Sequence, residues 1–386
     1  MAENSQTNNV SKFPIIARIP KLKVVGLGGG GQNAVDRMIE LGLSGVDFIA
    51  ANSDAQVLQK SLAPTRLQLG PKLTRGLGAG GDPSIGEASA EESLAEIKAA
   101  LEGAEMVFLT AGMGGGTGTG AIPVVARVAK EMGAVVISIV SLPFSFEIGR
   151  RQKNAREGMS MLQPYSDTLI SVPNDRLLQI APRDLPLEMA FRLADDILRQ
   201  GIQGISELIT QPGLINVDFA NIRNMMKVGG GSLLAIGSGT GVNRVHSALD
   251  RALHHPMLES INLDEAAGII ANFTGGPDLS FVEVMDALSY LHEETGGNAE
   301  IIPGIIIDPR MEDRAQVILV LTGIGATSVD KPKARLPIEN NEPVTIIQDT
   351  SLSFHFQPVV EKVSAEPVSD APANLDVPAF LRRRLG

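Results

Sequence analysis

The segment "GMGGGTGTGAIP", residues 112–123, contains six glycines and two threonines and therefore has almost no side chains to pack. The apolar segment "EMVFLT" precedes it and the amphipathic segment "IPVVARVAKEM" overlaps its end. This order predicts a strand, a glycine turn and a helix that begins near Ala121. A glycine backbone turns tightly and directs successive N–H groups into a concavity, and a helix N-terminus adds partial positive charge. The segment predicts a phosphate-binding loop rather than a flexible linker.

The same pattern occurs once more, earlier in the chain. From residue 21, "KLKVVGLGGGGQNAVDRMIELG" predicts a strand, a glycine turn and a helix, and "VDFIAANSD" predicts a second strand. Helices and strands then alternate up to "AVVISIV". Such alternation predicts a parallel sheet with helices on both faces and with the glycine turns at the carboxyl ends of strands, where open α/β sheets bind ligands. A length of 386 residues favours two domains.

Composition excludes several classes of function. The net charge of -11 argues against a broad nucleic-acid surface, and the absence of cysteine excludes disulfides and thiolate metal sites. The five histidines show no metal-ligand spacing, so no structural metal is predicted. The N-terminus lacks the apolar segment of a secretory signal, and the apolar runs are too short to cross a bilayer. A cytoplasmic protein is expected.

Three glycine segments distinguish between candidate ligands. "GLGGGG" also fits the dinucleotide pattern through Gly26, Gly28 and Gly31, with Asp47 as a candidate ribose partner. A dinucleotide needs one such turn, whereas "GGGGQN", "GLGAGGDPS" at 76–84 and the segment at 112–120 together suit a triphosphate. No G-x-x-x-x-G-K-[ST] motif is present, so backbone amides, helix dipoles, the Thr117 and Thr119 hydroxyls and Mg²⁺ are expected to balance the phosphate charge.

These motifs together resemble the tubulin/FtsZ family. "GMGGGTGTGA" is similar to its signature, and the likeness continues through "PFSFE", "SVPNDRLL", "QGISELITQPGLINVDFANIR" and "LTGIGAT". The resemblance covers residues 21 to about 327 and resumes at "LDVPAFLRRR". It implies an α/β fold in which a Rossmann-like parallel-sheet GTPase domain is joined by a long central helix to a smaller α/β domain. It also implies a GTPase that polymerises head to tail into protofilaments and forms the cytokinetic ring in cell division.

The resemblance assigns the phosphates to backbone of the first loop and of the signature. The residues concerned are Gly28, Gly29, Gly30, Gly115, Gly116, Thr117, Gly118 and Thr119. The middle loop, Ala79, Gly80 and Gly81, resembles the segment that closes over the terminal phosphate. The implied cofactors are GTP or GDP, with Mg²⁺ bound mainly through phosphates and water.

Five further residues match family positions around the nucleoside. By the resemblance, Asn33 and Asp195 match positions that contact guanine. A carboxylate suits this role, since guanine presents two adjacent donors. Phe191 matches a ring beside the base, and Glu147 and Arg151 match neighbours of ribose and phosphate. The family usually has glycine directly after this glutamate, so Ile148 makes the local turn less certain.

The matching catalytic residues lie far from these positions in the sequence. Residues 186–210 have apolar side chains at helical spacing and predict one helix, despite Gly201 and Gly204. The fifteen residues after Asp195 then span about 22 Å. Asp218 is therefore predicted to act on the nucleotide of a neighbouring subunit in a head-to-tail filament.

The family pattern N-x-D-F-A-D reads "NVDFAN" here, so Asn216 and Asp218 are retained and Asn221 replaces the second acid. An amide orients water but takes no proton, which predicts slower turnover and longer-lived polymers. An equal alternative is that Asn221 caps the following helix.

The whole chain is predicted to divide into six segments. We predict a disordered N-terminus (1–20), a GTP-binding domain (21–185), the central helix (186–210), a C-terminal α/β domain (211–327), a flexible linker (328–372) and a tether-binding peptide (373–386). The segment "LDVPAFLRRRLG" resembles the family's tail peptide, which docks on a membrane tether such as FtsA, so residues 375–386 are the predicted contact. The membrane is then reached only indirectly, at the division site.

Three functional classes remain open from the sequence. The first is an assembling GTPase with assembly-dependent hydrolysis. The second is a dinucleotide-dependent dehydrogenase, disfavoured by the three loops. The third is a nucleotide-dependent filament scaffold that hydrolyses slowly or not at all, which Asn221 keeps in consideration.

Overall fold

The structure is a computed structural model that describes residues 20–179, 181–182, 184–211, 217–258 and 262–324. These residues fold into one mixed sheet with helices on both faces. The strands are β1 Leu22–Leu27, β2 Asp47–Asn52, β3 Thr65–Gln68, β4 Met106–Gly112, β5 Val135–Leu142, β6 Thr168–Pro173, β7 Gly231–Thr240, β8 Gly268–Gly275, β9 Glu300–Ile307 and β10 Arg314–Ile324. The helices are α1 Gly28–Glu40, α2 Ala55–Gln59, α3 Pro83–Glu92, α4 Leu94–Leu101, α5 Thr117–Glu131, α6 Arg150–Leu162, α7 Asn174–Leu177, α8 Leu187–Thr210, α9 Phe219–Met226, α10 Arg244–Leu253 and α11 Phe281–Glu294.

The first six strands form a parallel sheet in the order β3-β2-β1-β4-β5-β6. This is the doubly wound order of dinucleotide-binding folds, in which the direction of the connections reverses between β1 and β4. The central strands β4 and β5 are continuous apolar runs with nearly every residue buried, as expected when helices cover both faces. The predicted parallel α/β architecture is confirmed.

The last four strands form the second half of the sheet. β10 pairs antiparallel with β7 and β8, and β9 pairs parallel with β8. The two halves meet through a single residue pair, Ile170 on β6 and Ser232 on β7. This sparse pairing leaves most of the connection between the halves to packing, in agreement with the predicted two-domain fold.

The long helix α8 supplies that packing. Gly201 and Gly204 interrupt its helix-forming sequence because each permits a close approach. A Cβ on Gly201 would lie 2.8 Å from Leu234 of β7 and 3.2 Å from Ile139 of β5, and a Cβ on Gly204 would lie 2.9 Å from Ile318 of β10. One helix therefore packs against strands of both halves.

α8 also runs from the carboxyl ends of the parallel strands to their amino ends. Near its beginning, Phe191 contacts the ring of Phe144, which follows the carboxyl end of β5. At its last residue, Thr210 lies against Gly45, which precedes the amino end of β2. Its two ends consequently face opposite edges of the parallel sheet.

The segment between the middle glycine loop and β4 forms two helices, α3 and α4, which are divided at Ser93. The Ser93 hydroxyl accepts a hydrogen bond from the Gly70 amide and donates one to the Gln68 carbonyl. A serine that binds neighbouring backbone in this way competes with the helix. The break anchors the chain that leads from β3 towards the middle glycine loop.

Candidate functional site

Three glycine loops meet at the carboxyl edge of the parallel strands. The first opens α1 directly after β1, the third joins β4 to α5, and the middle loop, residues 77–82, leads into α3. β1 and β4 are adjacent strands at the point where the strand order reverses. Ligands of open α/β sheets bind in the crevice formed there.

Glycine brings the three loops into direct contact. Gly28 has φ 66°, and a Cβ on it would lie 2.7 Å from the Gly118 amide nitrogen. A Cβ on Gly116 would lie 2.8 Å from the Asp82 nitrogen and 2.9 Å from the Ala79 Cβ. The first loop thus contacts the third, and the third contacts the middle loop.

Other glycines of the same loops face open space. A Cβ on Gly29, Gly80, Gly81 or Gly115 would meet no atom within 4 Å. Packing inside the protein does not require glycine at these four positions, although the positive φ values of Gly80 (58°) and Gly81 (76°) favour it at those two. Bare backbone at an open concavity is what a bound phosphate chain needs for close approach.

The helices α1 and α5 begin at this concavity without a side-chain cap, α1 at Gly28 and α5 at Thr117. Asp54, Asp82, Asp218 and Ser280 cap α2, α3, α9 and α11, whereas α4, α6, α7, α8 and α10 also lack a side-chain cap. What distinguishes α1 and α5 is that they begin side by side at the glycine loops. An uncapped N-terminus leaves several amide N–H groups without an intrahelical partner and carries partial positive charge. Two such termini side by side form an anion-binding site.

The helix that follows the third loop, α5, begins earlier than the sequence predicted. α5 starts at Thr117 and not near Ala121. Gly118 and Gly120 are part of the helix because neighbouring backbone packs closely against them. A Cβ on Gly120 would overlap the Pro83 carbonyl oxygen. Thr117, Gly118 and Thr119 consequently form the first turn of α5, where amides are free for an anion.

The two threonine hydroxyls already have partners within the protein. The Thr117 hydroxyl lies 2.5 Å from that of Ser53, and the buried Thr119 hydroxyl accepts a hydrogen bond of 2.8 Å from the Gly114 amide. The buried Thr119 therefore shapes the loop, whereas Thr117 is half-buried and its side chain remains partly accessible.

The predicted nucleoside contacts lie on helices that flank the loops. Asn33 is exposed on α1, which packs against α8, and Phe191 on α8 is 40% exposed. The Phe191 ring meets Phe144 edge to face at 5.4 Å, and Phe144 stacks on Phe146 at 5.1 Å. An accessible aromatic face beside polar groups can accommodate a planar base.

Asp195 lies one helical turn after Phe191 and is half-buried. Burial raises its pKa to about 7, and Arg37 of α1 opposes this rise. A carboxylate of this kind is poorly solvated and gains from donors on a ligand.

Glu147 and Arg151 form an ion pair one helical turn apart. The Glu147 carboxylate also accepts a hydrogen bond of 3.0 Å from the Phe144 amide. Gly149, with φ 85°, makes the turn before α6, and Ile148 is 84% exposed. The Ile148 replacement is accommodated because the next residue is the glycine that the turn requires.

The structure brings two residues to the site that the sequence did not single out. Ser53 follows β2 at the same edge, and the polar end of "FIAANSD" could have indicated it. Asn154 lies within α6, and its amide contacts two of the glycine loops. No motif marked Asn154, because one polar residue in a predominantly polar helix does not stand out in the sequence.

Asp218 and Asn221 lie apart from the loops. Asp218 caps α9 and accepts a hydrogen bond of 2.9 Å from the Ala220 amide. The last residue of α9, Met226, accepts one of 2.7 Å from Thr168, the first residue of β6. α9 thus packs at the amino edge of the strands, opposite the loops, and Asn216 lies outside the described residues.

The alternative that Asn221 caps the following helix is wrong. α9 begins at Phe219, so Asn221 lies in its first turn, and the Asn221 amide donates to the Asp218 carbonyl at 2.9 Å. Asp218 is the capping residue instead. Aspartate and asparagine cap helices comparably well, so residue type alone does not distinguish position 218 from position 221.

The dinucleotide alternative is also wrong in its geometry. Asp47 is the first residue of β2 and pairs in register with Lys23 of β1, at the amino edge of the strands. A ribose partner must lie at the carboxyl edge, beside the glycine turn. Asp47 lies at the other edge.

The described residues contain no cluster of three or more histidine or acidic side chains arranged to hold a metal ion. Among the same residues, no helix is both long and apolar enough to span a membrane.

The chain is similar in sequence and in structure to known proteins. Residues 21–182 match the tubulin/FtsZ family GTPase domain, and residues 230–325 match the FtsZ family C-terminal domain. An FtsZ dimer from M. jannaschii is 42% identical, with 80% of this chain and 89% of that chain covered and a TM-score of 0.76. A mutant of FtsZ from M. jannaschii is 43% identical, with 80% and 92% covered and a TM-score of 0.76.

A more distant neighbour has the same fold. A GTPγS-bound protofilament of CetZ2 from Haloferax volcanii is 22% identical, with 80% of this chain and 94% of that chain covered and a TM-score of 0.68.

Proposed function

The chain belongs to the tubulin/FtsZ family of GTPases with a cytoskeletal fold, and on that premise we propose that it binds GTP in the three-loop crevice and hydrolyses it on assembly. The observation that carries this proposal is the pair of adjacent, uncapped helix N-termini at Gly28 and Thr117. They offer free amides and positive dipole ends to a phosphate chain.

The phosphates lie along the glycines with open space. Gly28–Gly30 and Gly115–Thr119 bind the chain of phosphates, and Ala79–Gly81 covers the terminal phosphate. Mg²⁺, held through phosphate oxygens and water, supplies neutralising charge when it is bound.

The base lies between α1 and α8. The Asp195 carboxylate accepts hydrogen bonds from the guanine N1–H and amino group, with Asn33 as second contact and Phe191 against the ring. Adenine lacks this pair of adjacent donors, so Asp195 selects guanine. Glu147 and Arg151 lie beside the ribose and the phosphates.

The catalytic acid comes from a second copy of the chain. α8 separates the base site from Asp218, because the fifteen residues from Asp195 to Thr210 extend about 22 Å. Asp218 caps a helix at the opposite edge of the parallel strands. Head-to-tail stacking brings that edge to the nucleotide of the next copy, and such contacts produce an open filament.

We assign these filaments to the cytokinetic ring at the division site in the cytoplasm. Residues 375–386, which lie outside the described residues, bind a membrane tether such as FtsA. A filament multiplies the modest affinity of one tail by presenting many. Deletion of 375–386 should abolish tether binding and leave GTP-dependent assembly intact; loss of assembly would contradict this division of roles.

A second candidate function is a filament scaffold that hydrolyses slowly or not at all. The observation that favours it is Asn221, which stands where the family has an acid and lies within the first turn of α9. Asn216 and Asp218 would then position water without a second carboxylate.

One experiment separates the candidates. The protein is sedimented with GTP, GDP or NADH while phosphate release is measured. We expect GTP alone to give pelleted polymer together with phosphate. Polymer without phosphate release would favour the scaffold, and NADH binding without polymer would overturn both.

A further inference from the structure

Asn154 links two of the glycine loops. Its side chain is buried, with only 7% of the residue exposed. Its Nδ2 donates to the Gly81 carbonyl of the middle loop and to the Gly114 carbonyl of the third loop, each at 3.2 Å. A side-chain amide nitrogen carries two hydrogens, so both are used.

The helix that carries Asn154 packs between the same two loops. One turn earlier on α6, the Arg150 guanidinium pairs with the Asp82 carboxylate at 3.0 Å. A Cβ on Gly114, which has φ 104°, would lie 2.8 Å from the Arg151 carbonyl oxygen. α6 therefore contacts the middle loop through side chains and the third loop through its backbone.

We propose that Asn154 is a positioning residue that holds the middle loop against the third loop in the geometry that receives a terminal phosphate. The inference rests on the proposed GTP binding and adds a residue to it. Asn154 touches neither the nucleotide nor the reacting atoms in this account. It acts through the position of Gly81.

Hydrogen bonding gives the physical reason. If the middle loop moves away, a buried amide N–H of Asn154 and the Gly81 carbonyl both lose their partner, which is unfavourable. The bond thus favours one loop position among those that the positive φ values of Gly80 (58°) and Gly81 (76°) permit. The amides of Gly80 and Gly81 have no backbone acceptor within the described chain, so they are available to a ligand.

The consequence differs between nucleotides. A diphosphate is bound by the first and third loops, whereas a triphosphate also needs the middle loop. Loss of the Asn154 bonds should weaken triphosphate binding selectively, because the third loop keeps the bond from its Gly114 amide to the Thr119 hydroxyl, whereas the middle loop loses its bond at Gly81. A residue that only stabilised the fold would affect both nucleotides alike.

The test compares Asn154→Leu, which keeps the volume and removes both donors, with Asn154→Asp, which directs a carboxylate at two carbonyls. Affinities for GTPγS and GDP are measured by calorimetry on protein dilute enough to stay unassembled. We expect GTPγS affinity to fall by about 5- to 10-fold in Asn154→Leu, and further in Asn154→Asp, with GDP affinity within about 2-fold of wild type.

Asn272→Leu provides a matched control. Asn272 is also a buried amide, and it donates to a backbone carbonyl, that of Gly204, at 3.1 Å, away from all three loops. It should lower stability without changing the ratio of the two affinities.

Two results would overturn the inference. One is an equal loss of GTPγS and GDP affinity in the Asn154 variants, and the other is no loss of either. Wild-type protein that binds neither nucleotide would instead refute the proposed function, so the two failures are distinguishable.

Discussion

Asp195 carries the proposed choice of base through an unusual ionisation. Burial holds its pKa near 7, well above the ordinary aspartate value of 3.8. In the empty protein this group reduces stability as pH rises from about 4 towards 7, because the folded state retains a proton that the unfolded state has released. A bound guanine, with its two donors, stabilises the charged form instead.

The first prediction concerns pH. Affinity for GTP should fall as pH is lowered from 8 to 6, because protonated Asp195 no longer accepts two hydrogen bonds. The measurement is the GTP dissociation constant across this range at constant ionic strength. A pH-independent constant would contradict the assigned role of Asp195.

The second prediction uses Asp195→Asn, which presents one donor and one acceptor. Xanthine carries a carbonyl where guanine has its amino group, so it complements the asparagine. The ratio of GTP to XTP affinity should shift towards XTP by about 10- to 100-fold. Equal losses for both nucleotides would indicate that Asp195 does not read the base edge.

Asn221 gives the third prediction. Asn221→Asp restores the acid of the family pattern in the first turn of α9, and GTP hydrolysis by assembled protein should rise about 10-fold or more. Polymers should then disassemble sooner. Unchanged phosphate release would remove Asn221 from the catalytic account.

The control is Asn224→Asp, the same chemical change on an exposed residue three positions later in α9. A negative charge near the start of a helix also stabilises it by about 0.3–1 kcal/mol, so unfolding of both variants is compared. Only the change at 221 should alter the rate.

At the scale of elements, the glycine loops combine two kinds of glycine that their sequence does not separate. Gly120 allows α5 to pack against the start of α3, whereas Gly29 faces open space. The first kind serves the fold, and the second is free to serve a ligand.

The fourth prediction follows from this difference. Gly120→Ala should destabilise the empty protein by about 1–3 kcal/mol, because the added methyl overlaps the Pro83 backbone. Gly29→Ala should leave unfolding nearly unchanged and weaken nucleotide binding. Thermal unfolding without nucleotide and calorimetry with GDP measure the two effects, and equal behaviour of the variants would refute the distinction.

The elements that sequence predicted well are those with long periodic patterns. The alternation up to β5, the single helix α8 and the parallel direction of the first six strands all followed from apolar spacing and glycine position. The start of α5 and the break at Ser93 did not, because each depends on contacts between segments distant in sequence: Gly120 with Pro83, and Ser93 with Gly70.

The candidate site was predictable to a similar extent. Loops that bind a ligand through backbone amides are rich in glycine, so their positions could be predicted from the sequence. Asn154 was not, since its importance lies in two carbonyls that are 73 and 40 positions away in the chain. The roles of the individual site residues remain predictions.

At the scale of the whole molecule, α8 connects the two ends of the parallel strands and the two halves of the sheet. It begins beside Phe144 at the loop edge and ends against Gly45 at the opposite edge, while packing on both halves of the sheet. The nucleotide crevice and the helix capped by Asp218 thereby face opposite directions. Each copy would offer a nucleotide to one neighbour and an acid to the other.

The most direct test of this arrangement is the rate of phosphate release per molecule over a range of protein concentrations, with sedimentation to report the assembled fraction. We expect release to be near zero while the protein is monomeric and to rise in proportion to assembly. If verified monomers release phosphate as fast per molecule as concentrated protein does, each chain must contain a complete active site, and hydrolysis between subunits is refuted.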